Sequence, residues 1–438
     1  MTSIELGFWS IGGILLLIAT RMPIGIALGA VGFLGITQLR GMDVAFGLIR
    51  NSPFEFSARW SLSAIPMFLL MGSIAYHSGI SSALFRAARM GLSGVSGGLA
   101  VATNLACAVF AAASGSSVGT AAAMGRIAIP EMLKAGYDKG LATGVVASAG
   151  TLGSLIPPSI LFLLYGVIAE VSVVKLMIAG ILPGLLTAGI YTIMIIVRCN
   201  LNPELAPRPN STEATFSKAE KKQALIDVWP ILLLISGIIG GLYGGIVTPT
   251  EAGAGGAFLA CVITTLQRRM NFDVLRNSLV EAISASARIF FVAVGAIMYS
   301  KFLALTGMPA FVGDLMGDWK LDPIMLVIGT SLIYVVLGMF LDPIGVLLLT
   351  LPILLPMFEA LNLDLIWLGV LVVKYLEIGL LTPPVGLNVY VIKSVVGKEI
   401  SLETIFKGVG WFLFCEVIIV VLLIAFPQIS LFLPNTMN

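Results

Sequence analysis

Long apolar stretches separated by short polar segments dominate the sequence. Because roughly 20 apolar residues are needed to cross a bilayer, such stretches predict membrane-spanning helices. The first half predicts spans at 4–20, 23–38, 62–78 and 177–197, shorter arms at 96–113 and 118–133, and a broken span at 141–169. The second half predicts spans at 228–247, 249–266, 282–304 and 405–426, arms at 323–340 and 344–359, and a broken span at 366–396. We therefore expect an all-α polytopic membrane protein.

Each broken span contains a pair of adjacent prolines, within residues 153–159 and 379–388. Proline removes a backbone donor and clashes with the preceding turn, so the helix must break there. At membrane depth, broken backbone is tolerated only where it is buried in protein or lines a cavity. The two breaks are therefore predicted to form binding sites for ions or a polar solute.

A shift of 226 residues superimposes the two halves of the chain. It aligns four prolines of the first half, Pro23, Pro130, Pro157 and Pro158, with Pro249, Pro356, Pro383 and Pro384. We interpret the chain as a duplication, with repeats at 1–197 and 227–438 joined by a linker at 198–226. If the paired arms are re-entrant hairpins, each repeat crosses the membrane five times. An odd number of crossings inverts one repeat relative to the other.

Composition excludes a soluble globular protein. Hydrophobic residues make up 58% of the chain and charged residues 11%, whereas soluble domains carry about 25% charged residues. The net charge of +2 is scattered between spans, so we expect a lipid bilayer and no nucleic acid as partner. Four cysteines lack paired spacing, which favours buried small residues over a disulfide or metal site; they are Cys107, Cys199, Cys261 and Cys415.

Basic residues predict the orientation in the membrane. With the linker in the cytoplasm, 17 of the 25 lysines and arginines lie inside and five outside. The remaining three, Arg288, Lys301 and Lys374, fall within spans. Cytoplasmic loops carry an excess of basic residues, so the linker is predicted to be cytoplasmic and both termini periplasmic.

The breaks and the hairpin tips suggest sites for sodium and for an anion. Helix ends offer carbonyls that bind cations and amides that bind anions. We expect one sodium ion per repeat. The first site would use Ser114, Gly115, Ser116, Thr151, Gly153 and Pro157, and the second Gly338, Asp342, Gly379, Thr382 and Pro384. The substrate would contact Ser117, Ser154, Ser159, Thr382 and Asn388. Alternatively, these serines and glycines serve close packing and local backbone bonds.

Charged residues within apolar spans are functional hypotheses by default. Asp342 is predicted to take part in the second cation site, with capping of the second hairpin arm as the alternative. Lys374 and Glu377 are spaced i,i+3, so a mutual ion pair explains both. Arg288 and Lys301 either bind the substrate carboxylate or extend to the interface.

Residues 115–119 fit the G-x-S-x-G pattern of serine hydrolases. A hydrolase also needs a base, and the only histidine of the chain, His77, lies far away in sequence. No strand is predicted before the motif. We therefore expect that the protein is not an enzyme.

Four stretches resemble the large membrane subunit (DctM type) of tripartite ATP-independent periplasmic (TRAP) transporters. They are ASGSSVGT at 113–120, AGTLGSLIPPSI at 149–160, TPTEAGA at 248–254 and EIGLLTPPVGLN at 377–388. The resemblance covers nearly the whole chain and keeps the motifs in order.

The resemblance implies sodium-coupled symport of an organic anion (carboxylate, sugar acid or sulfonate) across the bacterial inner membrane by an elevator-like movement. It also implies a periplasmic substrate-binding protein and a small four-helix membrane subunit of the DctQ type. The chain has no room for that subunit, so we expect a separate polypeptide. The alternative is a stand-alone sodium/dicarboxylate symporter of related hairpin architecture, which needs no binding protein.

Overall fold

The computed structural model describes residues 2–92, 94–207, 217–318 and 322–437. Across these ranges the protein is 82% helical and contains no strand. This confirms the predicted all-α class.

In the first half, the described residues form twelve α-helices and one 3₁₀ helix at Trp60–Ser63. The α-helices are α1 (Ser3–Ala19), α2 (Ile24–Arg40), α3 (Met42–Ser57), α4 (Ala64–His77), α5 (Ile80–Gly91), α6 (Gly98–Ser114), α7 (Ser117–Lys134), α8 (Lys139–Gly150), α9 (Leu152–Leu155), α10 (Ile160–Ile168), α11 (Val173–Ala179) and α12 (Ile181–Leu201).

The linker and second half contribute the remaining helices. They are α13 (Lys218–Ile226), α14 (Trp229–Tyr243), α15 (Pro249–Leu266), α16 (Phe272–Thr306), α17 (Met308–Asp318), α18 (Pro323–Gly338), α19 (Pro343–Ala360), α20 (Leu365–Leu381), α21 (Leu387–Val396), α22 (Leu402–Ala425) and α23 (Gln428–Asn435). Residues 208–216 of the predicted linker lie outside the described residues.

Six helical stretches of the described chain are long and apolar enough to cross a membrane. They are Lys139–Ile168, Val173–Leu201, Ala219–Tyr243, Phe272–Thr306, Pro343–Ala360 and Leu402–Ala425. A seventh candidate is the bent pair Met42–Ser57 and Trp60–His77, which meets at 60°. The predicted spans at 4–20 and 23–38 form apolar helices of only 17 residues each.

Five helices were not predicted from the sequence, namely α3, α5, α13, α17 and α23. Their mixed polarity keeps them below the apolar threshold that identifies spans. In α5, for example, the buried Ile80, Ala83 and Leu84 follow the i, i+3, i+4 spacing of one helix face, whereas Arg86 is exposed.

Equivalent residues begin equivalent helices in the two halves. The Asp138 carboxylate accepts from the Leu141 amide at 2.8 Å and caps α8. At the 226-residue shift, Asp364 accepts from the Trp367 amide at 3.0 Å and caps α20. The shared caps agree with the duplication, while the domain boundaries stay a prediction.

The helices pack as two groups. In the first group, here called the α16 group, the long α16 packs against α1–α4, while α15 packs against α4 and α14 packs against α15. The second group, here called the hairpin group, contains the pairs α6/α7 and α18/α19, the broken helices α8–α10 and α20–α21, and α12 and α22. The tips of both helix pairs point to the boundary between the groups, because residues at both tips line a cavity there.

Candidate functional site

A cavity of about 660 Å³ lies between the hairpin group and the α16 group. Its wall includes a first-turn residue from each of five helices, α2, α7, α10, α19 and α21; these residues are Ile24, Ser117, Ile160, Pro343 and Leu387. Each helix start carries a partial positive charge and backbone N–H groups without helical partners. Five helix starts around one cavity favour a bound anion.

Two charged side chains, Arg288 and Asp342, occur among the described residues of the cavity wall. Arg288 lies midway along α16, where its Nε donates to the Ser284 carbonyl at 3.2 Å. In the described part of the chain, no acidic group lies within 4.0 Å of its guanidinium. The guanidinium is therefore free to pair with an anion in the cavity.

A second cavity of about 560 Å³ adjoins the first, and Ser116 and Arg288 line both. It extends along the N-terminal half of α16. There the Glu281 carboxylate accepts hydrogen bonds from Ser73 at 2.5 Å and pairs with His77 Nε2 at 2.9 Å. The two cavities thus form a polar path from the hairpin tips toward the start of α16.

Hydroxyl groups join the first hairpin tip to the first break. Ser117 Oγ lies 3.2 Å from the Thr151 carbonyl and forms a hydrogen bond with the Ser154 hydroxyl. Ser159 Oγ donates to the Ser154 carbonyl and also caps α10. The α6/α7 tip is therefore held to the broken helix by neutral polar contacts.

Backbone also meets backbone at this first tip. A Cβ added at Gly153 would lie 2.6 Å from the Ser116 carbonyl oxygen, so only glycine allows this approach. Gly115 has a φ of 62°, and a Cβ there would lie 2.7 Å from the Pro158 oxygen. Several carbonyl oxygens and hydroxyls thus gather where the first cation site was predicted.

The second tip repeats the backbone contact without the hydroxyl network. A Cβ added at Gly379 would lie 2.7 Å from the Gly338 Cα. The Thr382 hydroxyl donates locally to the Ile378 carbonyl at 2.6 Å. The second break therefore lies directly against the α18/α19 hairpin through glycine backbone.

The two tips differ in charge at one equivalent position. Ser116 Oγ caps α7 by accepting from the Gly119 amide at 3.3 Å. At the 226-residue shift, Asp342 Oδ2 caps α19 by accepting from the Gly345 amide at 2.9 Å. Asp342 thus has the capping role weighed from the sequence, and it also faces the cavity. The two roles are compatible because a carboxylate has several acceptor positions.

The predicted site residues fall into two sets. Those lining the larger cavity are Gly115, Ser116, Ser117, Ser154 and Asp342, while Ser114 lines the adjoining one. Those that line neither cavity are Thr151, Gly153, Pro157, Ser159, Gly338, Gly379, Thr382, Pro384 and Asn388; of these, Pro384 is exposed and Thr382 is half-buried. Asn388, for example, donates to the Ala147 carbonyl at 3.1 Å. Among the five residues expected to contact substrate, Ser117 and Ser154 line the cavity, and Ser159, Thr382 and Asn388 do not.

The sequence left open whether Arg288 and Lys301 bind the substrate carboxylate, and the structure distinguishes between them. Arg288 lines the cavity. Lys301 lies elsewhere, 2.8 Å from Ser52 Oγ and 3.4 Å from the Glu55 carboxylate on α3. The predicted span of 282–304 placed Arg288 near its end. In the structure the helix is 35 residues long, and Arg288 lies near its middle.

The expected ion pair between Lys374 and Glu377 is present at 3.1 Å, and it belongs to a larger network. Lys374 Nζ also lies 2.8 Å from Glu416 and 3.2 Å from Thr187 Oγ1. Tyr191 donates its hydroxyl proton to Glu416. All five side chains are fully buried, so the network ties α20 to α12 and α22 inside the hairpin group. Sequence spacing missed Glu416 because it is distant along the chain.

Comparisons with known proteins agree with this architecture. Residues 11–429 match the family model of the tripartite ATP-independent periplasmic transporter, DctM component. The C4-dicarboxylate TRAP transporter large permease protein DctM of Pseudomonas aeruginosa is 36% identical over 87% of this chain and 88% of its own. The sialic acid TRAP transporter large permease protein SiaM of Vibrio cholerae is 30% identical over 97% and 98%.

A solved structure with a similar fold is that of the Alcanivorax borkumensis YdaH transporter. It covers 98% of both chains with a TM-score of 0.62 and 14% sequence identity. At that identity the likeness concerns the fold alone.

Proposed function

Because the chain belongs to the DctM family of TRAP transporter large permeases, we propose that it carries out sodium-coupled uptake of an organic anion. Proteins of this family are transporter subunits and not enzymes. The observation that carries the proposal is the convergence of five helix starts and Arg288 on one cavity beside both hairpin tips.

The substrate we propose is an organic acid bound through its carboxylate or another oxyanion. Arg288 would pair with the anionic group, and the amides at the starts of α7 and α10 would add hydrogen bonds. Ser117 and Ser154 supply hydroxyls at the cavity wall, and Phe291 and Val292 supply an apolar surface for the carbon skeleton. Relatives named for C4-dicarboxylate and for sialic acid are consistent with this class.

For sodium we propose one co-transport site behind each hairpin tip. Sodium prefers oxygen ligands, and carbonyl oxygens at unwound backbone are its usual ligands in transporters of this kind. The described residues contain no group of three or more His, Cys, Asp or Glu suited to a metal ion. The proposed sites therefore depend on carbonyls and hydroxyls, with the Asp342 carboxylate as the charged ligand of the second.

We further propose that the hairpin group moves past the α16 group as an elevator. The anion would be released toward the start of α16, since the adjoining cavity extends in that direction. The excess of basic residues supports the prediction that this side is cytoplasmic. Cysteine labelling at Ser211 and Asn438, both outside the described residues, tests this orientation. If an impermeant thiol reagent labels Ser211→Cys in intact cells, the linker is periplasmic and the predicted orientation is reversed.

TRAP large permeases work with a substrate-binding protein and usually with a small membrane subunit. We propose a periplasmic binding protein and a separate four-helix subunit as partners of this chain. The stand-alone symporter is not favoured, given the family membership.

Reconstitution tests the proposed function. The binding protein is first screened against organic acids by thermal shift, and uptake of the acid that stabilises it is then measured in proteoliposomes under a sodium gradient. We expect little uptake by the chain alone and sodium-dependent uptake with both partners. Full uptake by the chain alone would support the stand-alone symporter.

In the complete system, Arg288→Gln should lower uptake at least tenfold, because a charged hydrogen bond to the anion contributes about 1.5–3 kcal/mol. Arg276→Gln is the matched control, since Arg276 lies exposed on the same helix and does not line the described cavities. Equal uptake by the two variants would show that Arg288 does not bind the substrate.

A further inference from the structure

A third pocket, of about 330 Å³, lies beside the start of α5. Its wall includes Tyr76, His77, Ser81, Ser82 and Arg126. The adjoining 560 Å³ cavity is also lined by Tyr76, His77 and Arg126. The pocket therefore lies next to the polar path, on the far side of that path from the two hairpin tips.

Two backbone amides in the first turn of α5 have no acceptor among the described residues. Gly79 precedes the helix with a φ of 77° and provides no side-chain cap. In the described part of the chain, neither the Ile80 nor the Ser81 amide finds an acceptor, whereas Ser82 N donates to the Gly79 carbonyl at 3.2 Å. Such free amides at a helix start attract an anion.

Ser81 supplies an independent sign of a ligand. Its side chain is only 1% exposed, yet it lines the pocket. Its hydroxyl has no hydrogen-bond partner among the residues that the structure describes. Because this hydroxyl faces the pocket and has no partner among the described residues, it is available to donate a hydrogen bond to a bound acceptor.

Arg126 contributes positive charge from α7 across the pocket. It donates to the Tyr76 hydroxyl at 3.1 Å, and no described carboxylate lies within 4.0 Å of it. Glu281, which lines the adjoining cavity, is already bonded to Ser73 and His77. A guanidinium and two serine hydroxyls therefore line one small volume beside the start of α5.

We propose that this pocket is an oxyanion-binding site, suited to a carboxylate or a phosphate group. Its occupant would be the anionic group of the transported solute after it leaves Arg288, so this assignment of the occupant rests on the proposed function. Because Arg126 lies on α7 and Ser81 on α5, the site joins the moving hairpin to the segment that precedes it.

The test uses thiol protection in Ser82→Cys. Cys261, the native cysteine that is not buried, is replaced by serine in the same background. The purified chain is reconstituted in phosphatidylcholine vesicles, and a sulfonate-bearing methanethiosulfonate reagent modifies the new thiol. We expect sodium acetate or phosphate, at constant ionic strength, to slow the modification at least fivefold. Equal rates with and without these anions would overturn the proposal.

Two arginine variants locate the binding group. Arg126→Gln should raise the anion concentration for half-protection at least tenfold. Arg86→Gln, at an exposed arginine of α5, should leave it unchanged. Arg288→Gln should also leave it unchanged, which separates this pocket from the transport cavity. Loss of protection in Arg288→Gln, with retention in Arg126→Gln, would contradict the assignment.

A second measurement keeps native Ser82. Phosphate should raise the thermal unfolding midpoint relative to chloride in the parent and in Arg86→Gln, but not in Arg126→Gln, because a ligand stabilises the state that binds it. Vesicles with added phosphatidylglycerol identify the source of the oxyanion. Protection that requires this lipid and ignores soluble anions would assign the pocket to a lipid phosphate and overturn the transported solute as its occupant.

Failure of thiol protection leaves the transport proposal intact, since uptake is measured separately. Conversely, protection by acetate, together with no sodium-driven uptake even when both partners are present, would support the pocket and contradict the proposed function.

Discussion

The two tip-and-break regions share a backbone plan and differ in chemistry. In the first, neutral hydroxyls of Ser117, Ser154 and Ser159 connect the hairpin to the broken helix. In the second, glycine backbone makes the contact and the tip carries the Asp342 carboxylate. The two halves thus share the positions of caps and breaks, while their side chains differ.

The same divergence extends behind the breaks. Ser148 and Thr151 of the first half correspond to Lys374 and Glu377 of the second. The Thr151 hydroxyl donates to the Ser148 carbonyl at 2.7 Å, whereas Lys374 connects α20 to α22 through a buried ion pair and to α12 through a hydrogen bond to Thr187. Buried charges are costly unless paired, so the second region should depend on charge and the first on local packing.

The largest expected effect is that of Lys374→Met. This change leaves two buried carboxylates without their ammonium partner, and breaking a buried pair costs about 3–5 kcal/mol. We expect a strong drop in folded yield and in thermal stability in detergent. Ser148→Ala is the matched control at the equivalent position. Its hydroxyl is buried without a partner, so the change should be nearly neutral.

Restoring charge balance tests whether the unpaired carboxylates cause the instability of Lys374→Met. Adding Glu377→Gln and Glu416→Gln to Lys374→Met should recover much of the stability, since neutral groups replace the whole network. If the triple variant is as unstable as the single one, the lysine acts through packing and the comparison of the two regions fails.

An intermediate effect is expected for Gly379→Ala. The new methyl group would lie 2.7 Å from the Gly338 Cα and push the hairpin away, at a cost of about 1–3 kcal/mol. Gly153→Ala should behave alike, because its methyl group would meet the Ser116 carbonyl at 2.6 Å. Gly329→Ala on α18 has open space around it and should be tolerated. Thermal unfolding and sodium-driven uptake both report the outcome; normal values for Gly379→Ala would contradict the backbone contact.

A smaller effect on stability, but a specific one on function, is expected for Asp342→Asn. The side chain keeps its size and one acceptor but loses the charge that the proposed cation site needs. The sodium concentration for half-maximal uptake should rise at least tenfold in the reconstituted system, with no uptake as the extreme case. Ser116→Ala is the change at the equivalent position of the first half. It removes a neutral ligand, so the sodium concentration for half-maximal uptake should rise less.

Capping provides the competing explanation for Asp342. Loss of a helix cap alone would cost about 0.5–2 kcal/mol of stability. Unchanged sodium dependence with lower thermal stability would make Asp342 a cap and nothing more, and the two tips would then be chemically alike in function.

Much of the architecture follows from the sequence by itself. Apolar length predicted five of the six long apolar stretches of the described chain as spans, and the proline pairs predicted the breaks, because these features depend on residues close together in the chain. The local ion pair of Lys374 with Glu377 and the tip residues of both hairpins were predicted for the same reason.

Only the tertiary structure decided which of those residues face the cavity. Ser159 and Asn388 belong to the right segments, but helix packing turns them toward the protein. The roles of Arg288 and Glu416 depend on helices that meet across long sequence separations. Periodicity along one chain segment sets the polarity of a helix face, whereas packing between distant helices determines which face meets a ligand, a partner charge or lipid.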